Sequence, residues 1–221
     1  MECAVALSLG CAEPPIMRRR TPSNIYTIKG FVDSYKTLNQ DIYGYKIIGN
    51  LELLPNLIKE HNIYGIVIGI GDNNTRHCAY NNIKKIAPNL DFISVVHPNT
   101  ILADDIVLPQ GTVVMPGVII NANAKIGEFC ILNTKSSLGH DSTMADFSSL
   151  ASGVTIGGNV QIGFCSAICI NTSIIQNISI GKHTVIGAVS LVLKSIGDYK
   201  QAFGIPISTI KDREPNSKYL G

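Results

Sequence analysis

His140 is the lone histidine between His97 and His183, and Asp141 follows it directly. Positions 122 and 158, eighteen residues to either side, hold alanine and glycine. In a chain that coils with eighteen residues per turn, those small neighbours leave a niche beside the imidazole where another molecule can sit. The Gly158 N–H then lies close to the niche, suited to a developing oxyanion. The alternative is a solvated surface histidine. A zinc centre would need three convergent imidazoles, but His140 and His183 lie 43 apart, which is not a multiple of eighteen. The six cysteines, at 3, 11, 78, 130, 165 and 169, form no Cys-x-x-Cys pair and match no zinc-finger spacing to a histidine. They read as free thiols buried in a protein of a reducing compartment, and no metal site is expected.

The element that positions these residues follows from a period of six. Stepping by six from Leu102 reaches Leu108, Val114, Ile120, Ile126, Leu132, Leu138 and Met144. The series continues through Leu150, Ile156, Ile162, Ile168, Ile174, Ile180, Ile186 and Val192. Every member is aliphatic or Met, which a chain that is 45% hydrophobic would show by chance roughly once in several hundred thousand trials. Two positions before these members stand small or β-branched residues, among them Thr100, Thr112, Ala124, Cys130, Ser136, Ser142, Ser148, Val154 and Val160. Gly or Ala often follows, as at Gly127, Gly139, Ala145, Ala151, Gly157, Gly163, Gly181 and Gly187. Six fits neither a helix of 3.6 residues per turn nor a long strand. It fits short strands bent at small corners, with one large side chain per bend filling a narrow interior. Three hexads make one triangular coil, so the sixteen hexads predict about five coils of a parallel β-helix. The charge distribution agrees. Residues 102–197 hold 9 of the 34 charged side chains, because a coil that fills its inner and inter-coil positions with small or apolar groups has few places for charge.

The [LIV]-G-x-x-x-x pattern resembles the hexapeptide-repeat acyltransferases. That resemblance implies a left-handed β-helix and a homotrimer; spacing alone does not set the hand. Leu132-Asn133-Thr134, Gly139-His140-Asp141 and Gly158-Asn159 resemble the active-site stretch of bacterial sialic-acid O-acetyltransferases and nucleotide-sugar 4-amino N-acetyltransferases of the bacillosamine type. The resemblance covers roughly residues 25–215. It implies that His140 is the general base, taking the proton from the acceptor as it attacks the acetyl thioester. Asp141 would hold the imidazole in the correct tautomer; relatives often carry Glu there, one methylene longer. Acetyl-CoA, a co-substrate rather than a bound cofactor, would lie in a groove between neighbouring β-helices. The matching positions are Ser149, the Gly158 amide, Ile170 and Ala188, and some relatives have histidine in place of Ser149. Gly204-Ile205-Pro206 resembles the Gly-x-Pro motif that closes the last coil beside the CoA site, although Ile207-Ser208 replaces the usual Ala-Lys.

Upstream, residues 25–96 read as α/β. Ile28–Val32, Ile66–Ile70 and Phe92–Val96 are strand candidates, with helical spacing over Leu51–Asn62 and Thr75–Ala87. Asp33 closes one strand, and Gly69-Ile70-Gly71-Asp72-Asn73 follows another, as expected for amides approaching a nucleotide. Two glycines at a strand end are equally an ordinary tight turn. Relatives place a small Rossmann-like domain here to receive a nucleotide-sugar, which implies acceptor contacts from Asp33, Ser34, Gly71 and Asp72, with Asn133 from the coil. One departure is plain. Val5-Ala6-Leu7-Ser8-Leu9-Gly10 looks like the first strand, but Cys11-Ala12-Glu13-Pro14-Pro15 stands where relatives have a G-x-G-G-H loop opening a helix. Prolines and Arg18-Arg19-Arg20 are poor material for that helix. The relatives' sugar-contacting histidine has no counterpart: either the pocket is built differently, the N-terminus is vestigial, or the reading frame is disturbed over residues 10–24, and degraded or disturbed sequence is the favoured reading.

The expected organisation is residues 1–98 as the nucleotide-sugar domain, 99–198 as the coil and 199–221 as an extension closing the CoA site. A net charge of +2 gives no electrostatic case for nucleic acid or a membrane surface. No apolar run reaches about eighteen residues. The apolar stretch 4–12 follows Glu2 instead of a basic segment, so it does not read as a leader, and a cytoplasmic protein is expected. The functional expectation is an acetyl-CoA-dependent N-acetyltransferase of glycan biosynthesis, acting on the 4-amino group of a nucleotide-linked amino-deoxysugar. An O-acetyltransferase of a sialic-acid-like sugar and a non-catalytic sugar-binding scaffold are the alternatives.

Overall fold

A left-handed backbone residue stands at every sixth position from Gly111 to Val189. Only three of these are glycine (Gly111, Gly117 and Gly153); the others include Asn123, Phe129, Asp141, Phe147, Asn159 and Cys165. In the computed structural model, which describes residues 3–9 by their backbone and residues 26–214 and 217–219 in full, these are the corners of a left-handed parallel β-helix. Each full coil gives one two-residue strand to each of three parallel sheets, as with Ser137–Leu138, Thr143–Met144 and Ser149–Leu150. Register is eighteen throughout: Ile120 pairs with Leu138, Met144 with Ile162 and Leu150 with Ile168. The hexad series is the interior. Leu132, Leu138, Leu150, Ile186 and Val192 are fully buried, while Leu102, Leu108 and Ile126 are partly buried against the same cluster.

The small residues two positions earlier are buried too, Thr112, Ser136, Ser142 and Ser148 among them. Ser142 shows what such a corner hydroxyl does: Oγ donates to the Gly157 carbonyl (3.0 Å) and accepts the Val160 N–H (3.0 Å). It thereby bridges two coils. The Thr112 and Ser136 hydroxyls have no hydrogen-bond partner among the described residues. After the last hexad, Lys200–Gly204 and Ile207–Asp212 form an antiparallel hairpin that extends the sheet of Ser149, with Ala202 beside Ile186.

The N-terminal unit is a six-stranded sheet with two helices: β1 (Cys3–Leu9), β2 (Tyr26–Asp33), β3 (Asp41–Ile42), β4 (Tyr45–Gly49), α1 (Leu54–Glu60), β5 (Gly65–Ile68), α2 (Asn73–Ile86) and β6 (Asp91–Phe92). Sheet order is β3-β4-β2-β1-β5-β6. The expected strands and helices are present, with α1 starting where Pro55 can occupy its first turn. Three features differ from the expectation. Phe92–Val96 is two strands, because β6 pairs with β5 while β7 (Val95–Val96) pairs with Val113–Val114 of the coil. The β3–β4 hairpin had no expected counterpart. The third is β1, which sits centrally but runs antiparallel to both β2 and β5. A parallel β1–β2 pair would need a crossover of a dozen or more residues, usually a helix, whereas an antiparallel pair does not. Pro14, Pro15 and Pro22 in the connection disfavour such a helix; residues 10–24 themselves lie outside the described residues.

One corner of the coil docks the N-terminal unit. Phe129, Phe147 and Cys165, stacked eighteen apart, belong to the same core as Ile66, Ala79, Ile83 and Phe92. The Phe129 and Phe147 rings lie parallel 4.9 Å apart, and Tyr80 of α2 meets Phe129 at 4.6 Å. Gly111 ends this column because a Cβ there would strike the Phe129 ring.

Val189 is the costliest corner, a β-branched residue at φ 54°. Val189→Asn should stabilise the fold by about 1 kcal/mol. For a chain of this size that is a rise of roughly 2–4 °C in Tm, measured by calorimetry.

Candidate active site

His140 and Asp141 turn the corner between the strands Ser137–Leu138 and Thr143–Met144. Asp141 has φ 59°, a conformation that Asp tolerates better than most residues. That geometry swings its carboxylate back to the preceding ring: His140 Nδ1 and Asp141 Oδ2 are 2.7 Å apart. The shorter Asp therefore reaches the imidazole without the extra methylene of Glu. The hydrogen bond to His140, followed by one from Asn123, holds the Asp141 carboxyl below the usual carboxylate range. Both side chains are exposed, 69% for His140 and 50% for Asp141.

With Nδ1 engaged by a carboxylate, the Nε2 lone pair is the one free to accept a proton. The imidazole lies over Gly158: a Cβ there would fall 2.5 Å from His140 Nε2 and 2.6 Å from Cε1, so a side chain at 158 would displace the ring. The Gly158 carbonyl accepts from Asn177, while its N–H has no hydrogen-bond partner among the described residues. Below, Ala122 accepts the Asp141 N–H at 3.0 Å, and His140 itself accepts the Asn159 N–H at 2.8 Å. The backbone under the ring is thus fixed from both coils.

Ser149, Ile170 and Ala188 line one cavity of about 400 Å³, together with Asn133 and Gly71. This groups most of the expected CoA positions with two of the expected acceptor positions. His140, Asp141 and Gly158 do not line it; they belong to a different corner of the same protomer. Asn133 orients the loop edge, its Oδ1 accepting the Thr134 N–H at 2.8 Å. Asp72 caps α2, accepting Thr75 N–H (2.9 Å) and Thr75 Oγ1 (2.7 Å). Asp33 is buried at the end of β2, where Oδ1 accepts the Tyr35 N–H (2.8 Å) and Oδ2 has no partner among the described residues. A buried carboxylate oxygen without a donor is costly, and one arriving on a ligand would relieve it. Ser34 follows it at the surface.

Two residues at this site escaped the sequence reading. Tyr219 enters the cavity, its hydroxyl donating to the Gly71 carbonyl (3.1 Å) and lying 3.3 Å from Ser149 Oγ. Burial raises its phenol above the ordinary value. Arg76 is the largest fully buried side chain. It donates to the carbonyls of Phe129 (3.0 Å) and Phe147 (3.0 Å) in the coil and of Ile70 (2.9 Å) and Gly71 (3.0 Å) in its own unit. Asn73 Oδ1 accepts a further bond at 2.7 Å, and Asn73 Nδ2 reaches the Ser166 carbonyl. Burial lowers the guanidinium pKa; five donated hydrogen bonds compensate for the lost hydration. Nothing in an Arg on a polar helix distinguishes this role from a solvated one.

The thiols divide. Burial pushes Cys130 up to about 11 and Cys165 to about 12, the behaviour of unreactive core groups. Cys78, expected inside, is exposed on α2 because it falls on the face away from Ala79 and Ile83; the Cys3 and Cys11 side chains lie outside the described residues. Among the described residues, no cluster of three His, Cys, Asp or Glu side chains is arranged for a metal.

Known proteins carry the same parts. Residues 20–83 match the PglD N-terminal domain. A GDP-perosamine N-acetyltransferase of Escherichia coli O157:H7 is 33% identical over 70 residues, which is 32% of this chain and 32% of that protein. The matched stretch thus spans about a third of that relative. A variant of perosamine N-acetyltransferase from Caulobacter crescentus, in complex with CoA and GDP-perosamine, superposes with a TM-score of 0.76 at 27% identity, over 81% of this chain and 83% of that one. The acetyltransferase domain of PglB from Neisseria gonorrhoeae FA1090 shares the fold, with a TM-score of 0.74 at 23% identity over 80% and 84% of the two chains. The chain is thus similar in fold to a perosamine N-acetyltransferase and to the acetyltransferase domain of PglB. Its N-terminal stretch is similar to the PglD N-terminal domain and to part of a GDP-perosamine N-acetyltransferase.

Arg76→Met should cost on the order of 3 kcal/mol or more, because it strips donors from buried carbonyls. Denaturant unfolding should show the N-terminal unit loosening at lower concentration than the coil. Gly158→Ala should leave Tm nearly unchanged, since the exposed imidazole can swing into solvent, yet displace the ring. The His140 ring resonances in NMR should report that displacement.

Proposed function

We propose that this protein is an acetyl-CoA-dependent N-acetyltransferase acting on the 4-amino group of a nucleotide-linked amino-deoxysugar. The observation that carries the reading is the His140–Asp141 pair at 2.7 Å, open to solvent with the imidazole over Gly158. His140 Nε2 accepts a proton from the acceptor nitrogen as its lone pair attacks the thioester carbonyl. The N–C bond forms and the C–S bond breaks by way of a tetrahedral oxyanion, which the Gly158 N–H is suited to meet. The CoA sulfur leaves and takes up a proton, so transfer is direct and no acyl-enzyme is formed. Asp141 holds Nδ1–H and stabilises the imidazolium.

Ser149, Gly158, Ile170 and Ala188 would contact acetyl-CoA, and Asp33, Ser34, Gly71, Asp72 and Asn133 the acceptor. Since His140 lies on a different corner from the cavity of Asn133 and Ser149, a neighbouring copy is needed to bring the base to the acceptor, which supports a homotrimer. The perosamine enzyme from Caulobacter crescentus, captured with CoA and GDP-perosamine, supports the substrate class. No helix among the described residues is long and apolar enough to cross a membrane, and the unreactive buried thiols fit a cytoplasmic enzyme of glycan biosynthesis.

The test supplies acetyl-CoA with GDP-perosamine or with free sialic acid and follows thiol release and product mass. Acetylation of the amino sugar alone is the expected result; acetylation of sialic acid alone would make this an O-acetyltransferase. His140→Ala should lower kcat/KM by about 10²–10⁴-fold. Full transfer by that variant would remove the mechanism and leave a binding scaffold.

A further inference from the structure

We propose that Asn123 is a positioning residue for acetyl transfer, holding the Asp141 carboxylate so that it fixes His140 in the tautomer with a free Nε2. The inference rests on His140 being the base, as proposed above, and adds a residue from the coil beneath it.

The contacts form a chain across three coils at one corner. Asp105 Oδ2 accepts the Asn123 backbone N–H at 2.6 Å. Asn123 Nδ2 donates to Asp141 Oδ1 at 3.2 Å, and Asp141 Oδ2 lies 2.7 Å from His140 Nδ1. Positions 105, 123 and 141 are eighteen apart, so the coil register itself brings them together. The amide ladder stops at the dyad. Asn159, one coil higher, turns away and donates to Asn177 at 2.8 Å. Asp141 therefore takes its side-chain support from below, and its two oxygens have separate tasks.

An exposed carboxylate held by one neighbour would rotate in solvent and leave the imidazole free to exchange tautomers. With Oδ1 engaged by an amide, Oδ2 stays aimed at Nδ1. Asn123 serves because it is uncharged and, like Asp141, accepts a left-handed backbone (φ 58°). The charged groups on adjoining coils are Lys125, Glu128 and Lys135, in the coil of Asn123, and Asp104 and Asp105 in the coil below that. The coil above presents Gly157, Gly158 and Asn159, which carry none.

Two substitutions separate positioning from structure. Asn123→Gly keeps the left-handed corner and removes the amide; Asn123→Asp keeps the shape and adds a carboxylate beside Asp141. Both are compared with wild type in acetyl transfer from acetyl-CoA to GDP-perosamine across pH, with ¹⁵N NMR of His140 reading the tautomer without substrate. In Asn123→Gly, kcat should fall about three- to tenfold at unchanged KM, the worth of one hydrogen bond, and the tautomers should mix while Tm holds. In Asn123→Asp the acidic limb of kcat/KM should move to higher pH, because a further negative charge favours the imidazolium. Unchanged tautomer populations in both variants would overturn the proposal, and so would an unchanged rate and pH profile beside an inactive His140→Ala. If His140→Ala retains activity, the catalytic reading fails instead, and the NMR signal alone then decides whether Asn123 positions the ring.

Discussion

The structure depends on a backbone conformation that L-residues resist. A left-handed residue at each corner costs roughly 1–2 kcal/mol when it is not glycine, and this chain repeats the choice from Gly111 to Val189. Two returns offset it. Most corner N–H groups find a carbonyl one coil below, as Asp141 finds Ala122, Phe147 finds Glu128 and Asn159 finds His140, while Asn123 finds the Asp105 carboxylate; such a bond nets about 1 kcal/mol. Each corner also drives the next aliphatic side chain inward, worth about 1.5–3 kcal/mol when fully buried. Neither return exists for an isolated coil, which has no neighbour to bond and no layer to stack on. The corner geometry, the eighteen-residue register and the stacked plugs therefore stand or fall together.

That register turns positions eighteen apart into columns with distinct uses. The column of Phe129, Phe147 and Cys165 is apolar and becomes the floor of the N-terminal unit. The column of Asp105, Asn123 and Asp141 is polar and carries the dyad. Between the two units lies Arg76, whose donors reach carbonyls at two corners of the apolar column. A salt bridge there would need a carboxylate in the packed aromatic stack. Carbonyls at the corners are already present, so a guanidinium can be compensated without introducing a second charge.

What the sequence made legible and what it hid divide along the same physical line. Properties that recur with the coil show as a period: the plugs, the buried small residues, and the placing of His140 against Gly158, eighteen residues on. Local chemistry also shows, as with Asp33 ending β2. Contacts between distant segments leave no periodic trace. Arg76 meets Phe147 across 71 residues and Tyr219 meets Gly71 across 148, and both look like ordinary polar residues in the string. The split of Phe92–Val96 between two sheets was hidden for a related reason, since an apolar run does not say which sheet each half joins. The direction of β1 depends on its connection, and direction leaves no mark on the residues of a strand.

The placement of the dyad on a corner also explains why its acid can be aspartate. At an ordinary strand position, successive side chains point to opposite faces, and a carboxylate following a histidine would aim away from it. The left-handed corner breaks that alternation, so adjacent side chains converge and the shorter carboxylate closes 2.7 Å from Nδ1. Glutamate would have to fold back over the same distance and lose more side-chain entropy in an exposed site. The scarcity of charge in the coil has its counterpart here. A corner is among the few places where the coil admits an ionisable pair, because its side chains lie outside both the plug layer and the inter-coil ladder. The fold that excludes charge nearly everywhere thus leaves open the position where a base and its supporting acid can stand side by side against a glycine wall.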